Sequence, residues 1–406
     1  MKFKQTEIGC IPEHWKVLPI RDVTVAVTDY VANGSFASLA ANVSYKDDKD
    51  VAVLIRLVDY NNNFQGNFVY IDDHAYNFLS KSKLYGGEII ISNVGANVGT
   101  VFRCPTLPYK MSLAPNSIMV KFNENNDFYF HWLKSRNGQQ MIKSIVTGSA
   151  QPKFNKTNFR QMLVPVPPIE EQNRIAAILN AIDDKINKNR QINDNLEQQL
   201  HQLFIQTFNG CDTNISLGKV VKTTSGGTPA RKHREYYSNG TINWVKSKEL
   251  TGQYLFDTEE SLTSLGVAMS SAKILPAHSV LIAMYGATVG EHGITTKEMA
   301  CNQAICALLE NKDYPYTYLF QIAKENQQNL VNLAIGSAQQ NISQILLKQL
   351  SVHSDVATIH QYHCLALPLH KEIELLQSEN RLLNTTRDAL LPELMTGELD
   401  LSSVDF

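Results

Sequence analysis

The 406-residue chain carries no strong charge of either sign: 37 lysines and arginines stand against 39 aspartates and glutamates, a net charge of −2. Taken alone, that balance argues mildly against a polyanionic partner. Cysteine is sparse. Cys10, Cys104, Cys211, Cys301, Cys306 and Cys364 are scattered with no C-x-x-C pair, which excludes a zinc-spaced or disulfide framework and reads as reduced thiols. No apolar run approaches the roughly 18–20 residues of a membrane span, and "MKFKQTEIGCIPEHW" lacks an apolar signal core. The expectation is a soluble, cytoplasmic chain with no membrane partner. Catalytic motifs are missing too: there is no phosphate loop, no H-E-x-x-H, no G-x-S-x-G, and no N/D-P-P-Y/F motif of the kind that holds a flipped base. His353, His360, His363 and His370 lie at roughly helical spacing and read as a polar helix face. No catalytic residue, metal site or resident cofactor is expected.

What the sequence does contain is a duplication. "GSAQ" at 148–151 returns at 336–339, "NVGANVGTV" around Gly95 and Gly99 returns as "MYGATVGEH" around Gly286 and Gly290, and "LAPN" ending at Asn116 returns as "MACN" ending at Asn302. The order is kept and the offset stays near 190 residues, far too long for a solenoid repeat. The repeated unit is a whole domain. Charge follows the same division. Residues 1–168 hold 18 basic against 13 acidic side chains and 211–350 hold 12 against 11, whereas 169–210 hold 4 against 6 and 351–406 hold 3 against 9. The acid therefore sits mainly in two segments, leaving two neutral-to-basic domains.

Those two segments read as long helices. In the first, Ile175, Leu179, Ile182, Ile186, Asn189, Asn193, Leu196, Leu200 and Leu203 alternate steps of four and three, a sustained heptad seam. The prolines of "VPVPPIEEQN" precede it, Glu170 and Glu171 suit its positive N-terminal end, and Gly210 ends it. Such a helix over 173–207 is about 50 Å long at ~1.5 Å per residue and needs a partner. In the second, Ile373, Leu376, Asn380, Leu383, Arg387, Leu390 and Leu394 repeat the pattern, with Asn380 at the place of Asn193. A buried asparagine fixes register at a cost in stability. Pro392 is expected to end this helix near Leu391, and Pro368 to kink or start it. With the chain order domain, helix, domain, helix, an antiparallel helix pair is the simplest closed arrangement. It relates the halves by an approximate two-fold axis, with the domains at opposite ends.

The domains mix short apolar runs such as "GGEIIISNVG" and "SVLIAMYG" with helix-like stretches such as "DFYFHWLKSRNGQQMIKSI" and "YTYLFQIAKENQQNLVNLAI", the pattern of an α+β fold. Each helix-like stretch runs into GSAQ, so Gly148 and Gly336 are expected to be helix stops. In "TSGGTPARKHREYYSNGTINWVKSKEL", Arg231, Lys232, Arg234, Lys246 and Lys248 interleave with Tyr236, Tyr237 and Trp244 on glycine-flanked loops. Guanidinium and ammonium groups serve phosphate and base-edge contacts. The first copy has no equally dense cluster; its candidates are Arg103, Lys110, Lys153, Lys156 and Arg160.

"VPVPPIEEQNRIAAILNAIDDKI" resembles the central conserved region of specificity (S) subunits of type I restriction-modification systems. "SGGTPARKHREYYSNGTINWVKSKEL" is similar to the start of their target recognition domains, and "LLPELMTGELDL" and "GCIPEHWKV" match their two ends. The resemblance implies target recognition domains at 1–168 and 211–350 with conserved spacer helices at 169–210 and 351–406. It also implies that each domain reads one half of a bipartite, asymmetric target in double-stranded DNA. The helices would set the spacing and dock two modification (methyltransferase) subunits, to which restriction (nuclease and translocase) subunits add. S-adenosylmethionine, ATP and magnesium would belong to those partners. One departure stands out: "LSVHSDVATIHQYHCLALPLHKEI" lacks the Pro-Pro-x-x-Glu-Gln start of the first copy. The alternative reading is a protein–protein scaffold with duplicated domains that never contacts DNA, for which the net charge of −2 is the support.

Overall fold

The computed structural model of the protein describes residues 2–335, 341–399 and 401. It divides into two compact units, Met1–Asp184 with Asn384–Phe406, and Lys185–Leu383. In unit 1 an antiparallel sheet has the order Thr24–Asp29, Ser117–Phe122, Ile89–Ser92, Val101–Arg103. In unit 2 the matching order is Lys222–Ser225, Ile305–Leu309, Val280–Ala283, His292–Thr295. A second sheet in each unit contains one parallel pair, Ala52–Ile55 with Lys110–Leu113 and Ile242–Val245 with Ala300–Cys301. The duplication seen in three short motifs thus extends to strand order and strand direction. Ile89–Ser92 and Val280–Ala283 are buried at every position, which is why they read as unbroken apolar runs rather than alternating ones.

Five helices carry the argument that follows: α1 (Asn126–Lys134), α2 (Arg136–Ser144), α3 (Ile169–Thr207), α4 (Tyr316–Ile335) and α5 (Val356–Thr396). The helix-like stretch of the first copy is broken in two. Ser135 adopts an extended conformation and its hydroxyl accepts from the Gly138 N–H, capping α2. Only glycine fits at 138, since a Cβ there would lie 2.0 Å from the Trp132 carbonyl oxygen. The corresponding α4 of unit 2 is continuous over 20 residues.

Within unit 1 the start of α3 and the end of α5 complete the domain core. Ile175, Ala176 and Leu179 pack with Leu394 and Met395 and with Phe128, Tyr129 and Trp132 of α1. Polar links fix the joint. The Asn180 amide donates to Asp127 at 2.6 Å and meets the His131 imidazole at 2.9 Å, and Arg387 pairs with Asp183 at 3.0 Å. The Glu-Gln of the proline-rich entry also has a task. Glu171 binds Trp15 Nε1 and His14, each at 2.7 Å, and the fully buried Gln172 donates to the Pro167 carbonyl at 2.9 Å.

Within unit 2 the remainder of α3 pairs antiparallel with the remainder of α5. Asn189 meets Asn380, whereas Phe204, later in α3, meets Tyr362, earlier in α5, with ring centroids 5.4 Å apart. Leu200 and Phe204 share one core with Tyr318 of α4 and with Ile359, Tyr362, Ala366 and Ile373 of α5. Of the remaining seam positions, Ile186 and Leu376 are buried, while Ile182, Leu196 and Leu383 are partly exposed.

Three expectations need correcting. Helix α5 neither ends near Leu391 nor starts at Pro368 but runs from Val356 to Thr396 through both prolines. Each proline costs about 3 kcal/mol in a helix interior. Here both rings point to the exposed side, while Tyr362, Ala366, Ile373, Leu394 and Met395 are buried around them, and burial of large apolar side chains at about 1.5–3 kcal/mol each outweighs that cost. Gly148 is not a helix stop: α2 ends at Ser144, and Gly148, with φ +87°, closes a turn in which Thr147 pairs with Lys153. Gly336 and the second GSAQ lie outside the described residues. The register asparagine of α3 is Asn189 rather than Asn193. Fully buried, its amide donates to Glu379 at 2.7 Å and to Asn380 at 3.0 Å. Asn193 is buried with an amide oxygen that accepts nothing among the described residues. Pairing two helices far apart in sequence adds a crossing offset that the internal repeat alone does not contain.

These two asparagines should therefore respond in opposite ways to replacement by leucine. Asn189→Leu removes a donor from Glu379 and Asn380 and should lower unfolding stability by about 1–3 kcal/mol, whereas Asn193→Leu should leave it unchanged or raise it by about 1 kcal/mol. Urea denaturation midpoints of the two variants check the contrast.

Candidate nucleic-acid interface

The motifs that recur along the chain meet in space. In unit 1 the Asn93 N–H donates to the Asn116 carbonyl at 3.0 Å, the Phe154 N–H donates to the Asn93 carbonyl at 3.0 Å, and the Gly95 N–H donates to the Pro152 carbonyl at 2.9 Å. The glycine loop, the "LAPN" loop and the GSAQ turn are thereby bound into one cluster. Gly95 and Asn116 both hold positive φ, +101° and +66°, a conformation open to glycine and tolerated by asparagine. Unit 2 repeats the plan. The Met284 N–H donates to Ala304 at 2.8 Å, the Ile342 N–H donates to Met284 at 2.9 Å, and Tyr285 bridges Asn341 just beyond the second GSAQ.

Beside this cluster in unit 1 lies a largely apolar cavity of about 490 Å³, lined by Tyr30, Phe36, Tyr45, Asn93, Val94 and Asn116 among others. Phe36 is 81% exposed at its edge. The Asn93 amide donates to Phe154 at 3.0 Å, while its oxygen is buried and accepts nothing among the described residues. Lys153 is exposed on the adjoining turn, and Lys156 pairs at 2.9 Å with Asp29 on the cavity wall. Of the other three candidates, Arg160 is exposed on the short helix Lys156–Gln161, and two lie elsewhere. Arg103 pairs with Asp127 at 2.8 Å and lies 4.1 Å from the centre of the Phe130 ring, beside α1, and Lys110 stands 3.4 Å from Asp73 and 5.2 Å from the centre of the Tyr76 ring. Arg103 thus helps to seat α1, a packing task invisible in a list of cations.

In unit 2 the place next to the repeated cluster is filled by the basic and aromatic segment. Gly226 presses against the Cys301 and Asn302 backbone, where a Cβ would fall 1.9 Å from the Cys301 oxygen, and Gly227 presses against Ser271 and Ala272 while its N–H donates to the Cys301 carbonyl at 2.9 Å. The Trp244 indole N–H donates to the Gly227 carbonyl at 3.0 Å and the Tyr237 hydroxyl donates to Pro229 at 2.5 Å, so both rings fix the loop from beneath. On them rests the Arg231 guanidinium, 4.5 Å from the Tyr237 ring centre and 5.1 Å from that of Trp244. Arg231 pairs with Glu260, Lys246 reaches Glu260 and Glu259 at 2.9 Å each, and Lys248 reaches Glu259 at 2.7 Å. The Arg231 guanidinium, then the Lys246 ammonium, hold the Glu260 carboxyl down to about 2. Lys232 and Arg234 are exposed and form no ion pair among the described residues. The structure therefore unites Arg231, Lys246 and Lys248 through two acids that the sequence reading left out. The signal was present in "TEESL": antiparallel pairing of Asn243 with Ser261 brings the residues around Lys246 beside Glu259 and Glu260.

No cluster of three metal-ligating side chains exists among the described residues. Burial pushes the Cys301 and Cys306 thiols up to about 12, far from thiolate formation. The histidines of the second helical region are held by hydrogen bonds: His353 to Tyr318 at 2.9 Å, His360 to the Lys312 carbonyl at 2.7 Å, His363 to Thr317 at 2.8 Å and His370 to Tyr254 at 2.9 Å.

Two neighbouring lysines of unit 1 differ in what they do for the fold. Lys156→Ala leaves the mostly buried Asp29 without its cation and should lower stability by about 1 kcal/mol, between the values for exposed and buried pairs, whereas Lys153→Ala should leave it within about 0.5 kcal/mol. Denaturation midpoints of both variants provide the check.

A family profile described as "Type I restriction modification DNA specificity domain" matches residues 12–198 and again 213–353. The type I restriction enzyme MjaIX specificity subunit of Methanocaldococcus jannaschii is 24% identical over 432 residues, covering 98% of this chain and 96% of the relative. The EcoR124I/EcoR124II specificity subunit of Escherichia coli is 22% identical over 191 residues, 44% of this chain and 47% of the relative. The crystal structure of the S subunit of a type I restriction-modification system from M. genitalium superposes with a TM-score of 0.59 at 14% identity, covering 95% of this chain and 96% of that one. With both halves matched and the two-domain repeat shared, the chain belongs to the family of type I restriction-modification DNA specificity subunits.

Proposed function

We propose that the protein is the non-catalytic, sequence-reading subunit of a type I restriction-modification complex. Each globular domain reads one half of a bipartite, asymmetric target in double-stranded DNA, and helices α3 and α5 set the interval and dock two modification subunits. Restriction subunits add to these, and S-adenosylmethionine, ATP and magnesium are theirs. The complex acts in the cytoplasm, where its DNA is. The observation that carries this reading is the repeated loop cluster: in both units the glycine loop is bound to the loop of the LAPN or MACN motif and to the segment just beyond GSAQ, while the surface beside it differs, apolar and amide-lined in one, cationic and aromatic in the other. One frame with two surfaces is what reading two unlike half-sites requires. The scaffold reading draws on the acidic pairing of the Arg231 cluster. Salt dependence separates the two, since DNA binding weakens with a log–log slope of about −0.9 per phosphate contacted and a scaffold shows no sequence-dependent binding at any salt.

The helices provide a test of both role and non-catalysis. Inserting one heptad into α3 and one into α5 keeps the seam in phase and adds about 10 Å at ~1.5 Å per residue, so the gap in the methylated motif should grow by at most about three base pairs at 3.4 Å each, with both half-sites unchanged. Methylome sequencing of cells carrying the variant and a modification subunit reads the result. An unchanged gap with retained methylation would remove the helices as spacers, and methyl transfer by the purified chain alone would falsify the non-catalytic role.

A further inference from the structure

The cations that suit DNA best in unit 2 are already occupied. Glu259 and Glu260 are 54% and 33% exposed, Arg231 54% and Lys248 59%, with only Lys246 lower at 17%, so the two carboxylates and their outer cations lie open to solvent and to an approaching phosphate. Ion pairs in such a setting contribute little to folding. Nor does Arg231 need Glu260 to be held in place, because Tyr237 and Trp244 seat its guanidinium from below. The two carboxylates therefore have no large structural task, yet they sit where phosphate oxygens would sit, at 2.7 to 2.9 Å from the lysine nitrogens. These are lengths of charge-assisted hydrogen bonds.

We propose that Glu259 and Glu260 are specificity-determining residues that act as built-in phosphate stand-ins, suppressing sequence-independent DNA binding by the Arg231, Lys246 and Lys248 cluster. A phosphate arriving anywhere along a duplex must displace a carboxylate and then lie against it, so backbone contact gains little. A base edge is treated differently. The outer edge of the Arg231 guanidinium can donate to ring and carbonyl acceptors while a glutamate accepts from a base amino group. The acids thus penalise backbone-only contact more than base readout. This inference rests on the DNA-reading function proposed above.

The test compares the full-length chain with Glu259→Gln/Glu260→Gln and with Glu291→Gln/Glu298→Gln. The latter pair has the same change in net charge in the same unit, at glutamates with no ion pair among the described residues. Binding to a short duplex of mixed sequence is measured across a salt series, beside a duplex carrying the methylated motif, after thermal melts confirm that the variants fold. The E259Q/E260Q chain should bind the mixed duplex more tightly, with a log–log slope steeper by about 0.9 for each cation released, up to about 2.7 for all three. Its preference for the motif should fall. The E291Q/E298Q chain should follow the unaltered protein. An unchanged slope in E259Q/E260Q, or an equal steepening in E291Q/E298Q, overturns the inference. An unaltered protein with no preference for the motif at any salt overturns the DNA-reading function instead.

Discussion

Two long helices of 39 and 41 residues carry apolar stripes that neither can bury alone, and covering those stripes organises the rest of the fold. In unit 1 the stripe of α3 at Ile175 and Leu179 is closed by the end of α5 and by the aromatic face of α1. In unit 2 the stripe at Leu200 and Phe204 is closed by the start of α5 and by α4. Each recognition domain is thus packed onto its own stretch of both helices, while the candidate surfaces rest on separate smaller clusters, Tyr30, Leu39 and Val43 in unit 1 and Trp244, Leu262 and Ala300 in unit 2. Hydrogen bonds at the joints, Asn180 to Asp127 in one unit and Gln377 to the Tyr254 N–H in the other, orient the domain on the helix where apolar contact alone would let it slide.

On that mount the two domains share a frame and differ in what the frame presents. The frame depends on positive φ at Gly95 and Asn116 in one copy and at Gly286 and Gly290 in the other. A side chain with a Cβ is strained in most of those places, which ties the loops to these residue types in both copies. The surface beside the frame is freer to differ. Unit 1 sets an apolar cavity with a buried amide oxygen beside the loops, and unit 2 sets a guanidinium seated on two rings and ringed by carboxylates. Surfaces of that kind offer selective contacts rather than net positive charge, in keeping with a chain of net charge −2.

Much of this was legible in the residues themselves. Period decided the long helices, because a seam of alternating three and four steps has one structural meaning over that length, and glycines spaced alike in both copies marked the duplicated loops. What stayed hidden depends on contacts between residues far apart in sequence. The choice of Asn189 over Asn193 is set by how α3 and α5 slide past one another, which neither helix encodes alone. Helix α5 survives Pro368 and Pro392 because neighbouring side chains are buried, a tertiary effect that overrides local propensity. Arg103 and Lys110 are drawn to Asp127 and Asp73 by helix-to-strand packing, and the Arg231 cluster to Glu259 and Glu260 by strand pairing, neither of which a list of charges contains. The fold could be read from pattern, whereas the site could be read only as far as its candidate cations.

The central claim is that each recognition domain reads its own half of the target. Replacing residues 211–350 with the same segment of another family member, in a chain co-expressed with a modification subunit, tests it most directly by methylome sequencing. The account predicts a methylated motif in which one half-site changes while the other half-site and the gap between them are kept. A motif altered in both halves, or in neither while methylation persists, would contradict it.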